Sequence, residues 1–186
     1  MGSTETIFSD DFSGSLDAGW SWLREKEGHW RLADNGLEIR VEPGKADSVI
    51  NALLRPAPER STGTFSIEVT VSNHTHPIEQ YEQVGITWYC GGQPVFKLVK
   101  ELIDGDVYII PGKCPVPDQP IRLRLIVTAN TWEAQYKVGN DGEFKTADKG
   151  ELPAFDGDQV SLQCYNGPEN AEHWMRFEDI SIAKVD

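Results

Sequence analysis

The sequence predicts an all-β fold, a sandwich of two antiparallel sheets in one domain, and three observations carry that prediction. Apolar residues recur with period two along most of the chain, the spacing that places alternate side chains on one face of a strand. Turn-forming pairs separate these rows. No apolar pattern of helical spacing persists for three turns; the nearest stretch, Leu16 to Glu27, is short and contains Gly19. A length of 186 residues suits a single core, since domains commonly run to roughly 100–200 residues. Residues 7–186 are read as that domain. Residues 1–6 are read as disordered or tag-derived, because Met1-Gly2-Ser3 has the look of a cloning remnant.

In chain order, Trp30 and Leu32 precede an Asn35-Gly36 turn, after which Leu37, Ile39 and Val41 alternate with Glu38, Arg40 and Glu42. This is a hairpin with a strong short-range turn signal. Phe65, Ile67, Val69 and Val71 form a half-buried strand, and Val84, Ile86 and Trp88 face away from Gln83, Gly85, Thr87 and Tyr89. Ile121 to Val127 presents four apolar residues opposite Arg122 and Arg124. Trp132, Ala134, Tyr136 and Val138 make the next row, and Val160, Leu162 and Cys164 the one after, opposite Gln163 and Tyr165. A last strand spans about His173 to Lys184, and its change of alternation between Phe177 and Ile180 predicts a bulge at Glu178-Asp179. Asp104-Gly105, Pro111-Gly112, Asn140-Asp141-Gly142, Asp156-Gly157 and Asn166-Gly167-Pro168 supply the turns. No repeat of 20–50 residues is visible, which argues against a propeller or solenoid.

Charge excludes several partners. The chain carries 17 Lys and Arg against 30 Asp and Glu, a net charge of −13. Without a basic cluster such a chain repels phosphate backbones and anionic membrane surfaces, so neither nucleic acid nor membrane is an expected partner. A neutral or cationic ligand is compatible with it. The first residues contain no basic or apolar leader region, and Cys90, Cys114 and Cys164 are odd in number with no CxxC spacing. Reduced thiols and a cytoplasmic location are the expectation. Phosphate-loop, dinucleotide and nucleophile-elbow motifs are missing from the sequence.

Several strings, read together, resemble a known superfamily. They are Asp10-Asp11-Phe12, Trp20-Ser21-Trp22-Leu23-Arg24-Glu25, Asn51 to Pro58, Tyr81-Glu82-Gln83-Val84-Gly85, Phe96 to Glu101, and Phe177-Glu178-Asp179-Ile180. Their order is similar to that of the concanavalin A-like lectin/glucanase superfamily. It most resembles the domain fused C-terminally to bacterial β-xylosidases and the small stand-alone family named for enolase regulation. The resemblance covers about residues 8 to 183. It implies a jelly roll whose concave sheet holds a glycan. The Glu-x-Asp-x-x-Glu catalytic spacing of the laminarinase-type branch is missing, so the resemblance carries no glucanase activity with it.

On the polar faces of the inner strands, the candidate ligand-binding residues are Trp22, Arg55, Gln83, Lys97, Glu101, Arg124, Gln163 and Tyr165, with Asn51 and Thr87 beside them. Amides, guanidinium groups and an aromatic face are what paired hydroxyls and a C–H surface require. The alternative reading of the same residues is a solvated outer face. Lys97 and Glu101 share a face about 13 Å apart at ~3.3 Å per residue, so each is expected to find a cross-strand partner, with Arg124 or Arg55 opposite Glu101. Glu101 is also the candidate acid or base of a hydrolase or lyase, with Glu82, Asp104 or Glu133 as the second carboxylate. His74, His76 and Glu79 read as polar loop residues rather than a zinc site. No cofactor is required. Asp10, Asp11 and Asp179, where the first and last strands would meet, are the candidate ligands of a structural calcium ion, with turn and bulge formation as the other reading. Three functions follow: glycan recognition, glycan-active catalysis through Glu101, or a protein-interaction domain.

Overall fold

The computed structural model describes residues 4–140 and 142–185. Met1–Ser3 and the Asp141 of the expected turn lie outside these. Among the described residues the chain forms β1 (Thr4–Asp10), β2 (Ser21–Leu23), β3 (Trp30–Ala33), β4 (Gly36–Arg40), β5 (Ala52–Pro56), a 3-10 turn (Arg60–Thr62), β6 (Thr64–Asn73), β7 (Gln83–Cys90) and β8 (Gln93–Ile103). It continues with β9 (Asp106–Ile110), β10 (Cys114–Pro115), β11 (Ile121–Val127), β12 (Thr131–Val138), β13 (Lys145–Glu151), β14 (Gln159–Tyr165) and β15 (Trp174–Val185). One sheet has the order β13-β12-β11-β6-β15-β4-β3, with β1 also on β15; the other runs β10-β9-β8-β7-β14-β5-β2. All pairings are antiparallel. The sandwich of two antiparallel sheets expected from the sequence is the fold.

The predicted rows become the interior. Val84, Ile86, Trp88, Leu98, Ile109, Val160 and Leu162 of one sheet pack on Ile67, Val69, Leu123, Leu125, Leu37, Ile39 and Phe177 of the other. Each such side chain contributes about 1.5–3 kcal/mol on leaving water. The first hairpin forms one residue earlier than the sequence suggests. Ala33 pairs with Gly36, so the two-residue loop is Asp34-Asn35, both at positive φ (48° and 57°). That is the backbone a right-twisted two-residue hairpin needs.

The bulge in β15 lies where predicted. Register shifts between Glu178 and Ser181, and Asp179 stands at φ 50°. It divides β15 into a half paired with β4 and a half paired with β1. Thr4–Thr6, expected to be disordered, are therefore strand: Thr4 pairs with Val185 and Thr6 with Ala183. Their polar sequence carried no strand signal because the open edge of β15, rather than a buried face, orders them.

One loop decides how much of the second sheet is open. Between β4 and β5 the chain turns back over that sheet's outer face, where Val49 and Ala46 pack on Ala52, Leu54, Tyr89 and Tyr165. The Arg24 side chain donates to the Val49 carbonyl, and Asn51 N–H to the Arg24 carbonyl, pinning the loop. The β5–β14 half of the face is thereby covered, and the β7–β8–β9 half is left as a groove.

Acid should loosen this fold through identifiable carboxylates. Burial works against ionised Asp158, but the Asp156 N–H, the Trp88 indole and Arg60 together outweigh it and hold its pKa below the usual range. Desolvation is likewise outweighed at Glu38 by Arg31, His74 and Arg176, and at Asp118 by the Asn73 amide and then Lys100 and His76, so both carboxyls are lowered. Glu133 is lowered to about 2, first by the Thr146 hydroxyl and then by Lys149 and Gln135 against some desolvation. Groups with depressed folded pKa values stabilise fully above their unfolded pKa, and that contribution is lost as pH falls through the folded value. Urea unfolding followed from pH 7 downward should show stability falling below the ordinary carboxylate range and continuing to fall towards about pH 2. A flat profile across that window would contradict these assignments.

Candidate functional site

The groove is built from three adjacent strands in register. Across β14, β7 and β8, Tyr165 lies opposite Gln83, and Gln83 opposite Glu101. In the next row Gln163 faces Gly85 and Gly85 faces Val99; in the third, Ser161 faces Thr87 and Thr87 faces Lys97. Directly opposed residues stand about 4.5–5.5 Å apart, so these rows form one continuous face, of which Gln83, Thr87, Lys97, Glu101 and Tyr165 are the part that lines the groove. Gly85 contributes no side chain to the middle row. A Cβ there would sit 2.2 Å from the Leu98 carbonyl oxygen, so only glycine lets β7 and β8 pair at this point.

The low middle row lets Lys97 cross it. Lys97 Nζ donates to Gln83 Oε1 at 2.8 Å and to Glu101 Oε2 at 3.1 Å, and lies 5.9 Å from the Tyr165 ring centroid. The expectation that Lys97 and Glu101 could not pair within one strand is therefore corrected. Backbone spacing alone set that limit, whereas the lysine stem lies along the floor and spans the gap. Glu101 is buried, with one carboxylate oxygen on the ammonium. The Tyr165 hydroxyl is pushed above its ordinary range by burial and then by the Glu101 charge, so it stays a neutral donor. Ser161 and Tyr89 both donate to Gln163 Oε1, at 2.8 and 3.0 Å. Thr87 Oγ1 and Gln163 Nε2 are buried and have no hydrogen-bond partner among the described residues. Unpaired polar groups of this kind are rare in folded interiors and mark sites that a ligand or water completes.

The groove has a volume of about 700 Å³. Phe96 and Trp132 wall one part, stacked at 4.1 Å between centroids, and the exposed Tyr81 rims another beside Lys45 and Asn166. Polar floor and aromatic walls are the composition of small-molecule sites.

Of the eight ligand-binding residues read from the sequence, the fold brings Gln83, Lys97, Glu101 and Tyr165 together in the groove. Gln163 belongs to the same face but lies fully buried under Tyr89. Three are placed elsewhere. Trp22 stands opposite Leu53 on the interior side and packs on Trp30 at 4.7 Å between centroids, closing an edge of the sandwich. Arg55 shares the interior side with Leu53, sits 3.3 Å over the Phe8 ring and pairs with Asp17 at 2.8 Å. Arg124 is on the outer face of the other sheet, bound to Glu68 at 2.6 Å and 3.5 Å from the Phe144 ring. Neither arginine reaches Glu101. Asn51 bonds the Lys26 backbone instead of facing the groove.

The acids proposed as partners of Glu101 are also placed elsewhere. Glu82 is buried against His173 at 2.7 Å, Asp104 holds Gln80 at 3.0 Å, and Glu133 lies on the opposite sheet with Lys149. Asp148, from the middle of β13, is the other carboxylate lining the groove. Sequence reading missed Asp148, Tyr81 and Lys45, because they reach the groove from a second sheet or from loops. The exposed left-handed Tyr81 carries no sequence signal.

Asp10, Asp11 and Asp179 do line one depression, together with Arg122 and Asp17. Asp10 accepts from Phe12 N–H at 2.8 Å and from the Trp20 indole at 2.9 Å; Asp11 accepts from the Ser13 N–H and hydroxyl. The Asp179 carbonyl accepts from Arg122 at 3.1 Å. Among the described residues no group of three or more His, Cys, Asp or Glu side chains is arranged to hold a metal ion. His74 and His76 part company, to Glu38 and Asp118 respectively.

No protein-family model matches the chain, and no curated protein matches it in sequence. Solved structures do match in fold. A mutant of the GH43 protein BlXynB from Bacillus licheniformis superposes with a TM-score of 0.79 at 15% identity, over 95% of this chain and 39% of that one. A xylan β-1,4-xylosidase from Bacillus halodurans gives 0.71 at 12% identity with the same coverage, so the chain spans about two fifths of the length of both. A structure from the endo-acting O-glycanases of human gut microbiota members gives 0.66 at 12% identity, over 98% of this chain and 100% of that one. These likenesses establish a β-sandwich shared with proteins of glycan metabolism.

Proposed function

We propose that the protein is a carbohydrate-recognition module that binds a neutral glycan in the groove on β7, β8 and β14. The observation that carries this reading is the groove floor: Lys97, Glu101 and Gln83 in one hydrogen-bonded cluster, beside a buried Thr87 hydroxyl that has no partner among the described residues. Sugars present adjacent hydroxyls that both donate and accept, and this floor offers both roles within a few ångströms. The Lys97–Glu101 pair is neutral as a unit and the chain is strongly acidic, which supports a neutral ligand over a uronate. Likeness to glycan-active folds supports the same class. A lyase that used Tyr165 as a phenolate base is disfavoured by the upward shift of that hydroxyl.

Isothermal titration against xylan-derived and mucin-type oligosaccharides tests this reading. Saturable binding is expected for one class, weakened about two- to tenfold in Thr87→Val, the cost of one hydrogen bond. Product release abolished by Glu101→Gln would make the same groove an active site. No binding to any sugar would end the glycan reading and leave a protein partner as the ligand.

A further inference from the structure

Tyr81 stands at φ 69°, a left-handed conformation that costs a bulky residue and persists only where its surroundings impose it. Three hydrogen bonds impose it. Gln83 Nε2 and Asn166 Nδ2 both donate to the Tyr81 carbonyl, at 2.9 and 3.2 Å, and the Tyr81 N–H donates to the Leu102 carbonyl at 2.8 Å. Asn166 is itself left-handed, at φ 58°. The backbone is thus locked on both sides while the ring is half exposed. Nothing in the packing of the core asks for an aromatic residue there. Gln83 meanwhile accepts from Lys97, so the residue that clamps Tyr81 is also part of the groove floor.

Beyond this ridge lies a second cleft of about 590 Å³, shared with the groove at Asn166 and lined by Ile78, Glu79, Gln80 and Glu169. Ile78 is the most exposed large apolar side chain among the described residues. We propose that Tyr81 is the stacking platform of a second subsite, so that the ligand is a neutral oligosaccharide running from the groove across the Tyr81–Asn166 ridge into this cleft. The inference rests on the glycan-recognition reading above and adds ligand length to it. A rigidly held aromatic face offers a sugar ring its C–H contact without losing backbone freedom on binding. The two acids of the outer cleft exclude uronates there and accept from hydroxyls.

The test is calorimetric titration of the whole chain with two graded series, xylose to xylohexaose and galactose to lacto-N-tetraose. Wild type is compared with Tyr81→Gly and Tyr81→Phe. Glycine takes a left-handed position without steric cost, so the melting temperature should hold in Tyr81→Gly and any loss is a loss of contact. Affinity should rise with chain length in wild type and in Tyr81→Phe. In Tyr81→Gly the longer sugars should weaken about three- to tenfold, and by a larger factor than the monosaccharide does. Length-independent binding, or equal affinity in Tyr81→Gly, would overturn the subsite while leaving glycan recognition standing. No binding by wild type in either series would overturn both.

Discussion

Asp158→Ala will cost about 3–5 kcal/mol of folding stability, the penalty for leaving a buried charge without its partner. Asp158 and Arg60 are almost wholly enclosed, and their pairing at 2.9 Å is one strand of a larger knot. Asp158 also accepts from the Trp88 indole at 2.8 Å and from the Asp156 N–H at 3.1 Å. Arg60 reaches the Pro153 carbonyl at 2.8 Å, the Ala129 carbonyl, and the Thr128 carbonyl at 3.4 Å. Truncating the acid leaves the guanidinium charge uncompensated, and removes the acceptor of both the Arg60 Nε–H and the Trp88 indole N–H, in a place water does not reach. For a chain of this size the melting temperature should fall by roughly 10 °C. Guanidinium unfolding of Asp158→Ala, Arg60→Met and the double variant measures it. The double variant should recover part of the loss, since removing both charges leaves neither one stranded. Single variants within about 0.5 kcal/mol of wild type would show that the knot is not holding the end of the sandwich.

The second large effect is expected at Lys97. Lys97→Met removes the ammonium that bridges Gln83 and Glu101 and leaves a buried carboxylate facing the neutral Tyr165. The lysine side chain is one-third exposed, so solvent screens the pair and the stability cost should be smaller than at Asp158, about 1–2 kcal/mol. Glycan affinity should fall further, by about tenfold or more, because both a charged donor and the ordered acceptor beside it are disturbed. Adding Glu101→Gln to Lys97→Met should restore much of the stability, since no charge is left unpaired, without restoring binding. That split separates a structural ion pair from a binding one. If the double variant regained affinity together with stability, the pair would be scaffolding alone.

Period-two alternation made the sandwich legible where one face of a strand is buried and the other is wet, as in β6, β11 and β12. It failed where both faces are covered. Ala52-Leu53-Leu54 shows no alternation because the loop through Val49 buries the outer face as the interior buries the inner. This is why Arg55, one position removed in parity from the groove, was read onto the wrong side. Arg124 illustrates a different limit. Its outward direction follows from Ile121, Leu123 and Leu125, but which of two sheets β11 joins is settled by long-range pairing with β6. Alternation put Lys97 and Glu101 on one polar face, and their direct contact depended on the space above Gly85.

The amino-acid sequence by itself determined the fold class, the interior rows, the β15 bulge and the four polar residues of the groove, because each depends on local alternation or backbone preference. Tertiary structure alone decided the rest. Strand β1 orders on the edge of β15, the β4–β5 loop covers half of one face, Asp148 arrives from the opposite sheet, and two side chains clamp Tyr81. These contacts join residues far apart in the chain, and the energy that selects them comes from surfaces that exist only once both sheets have closed.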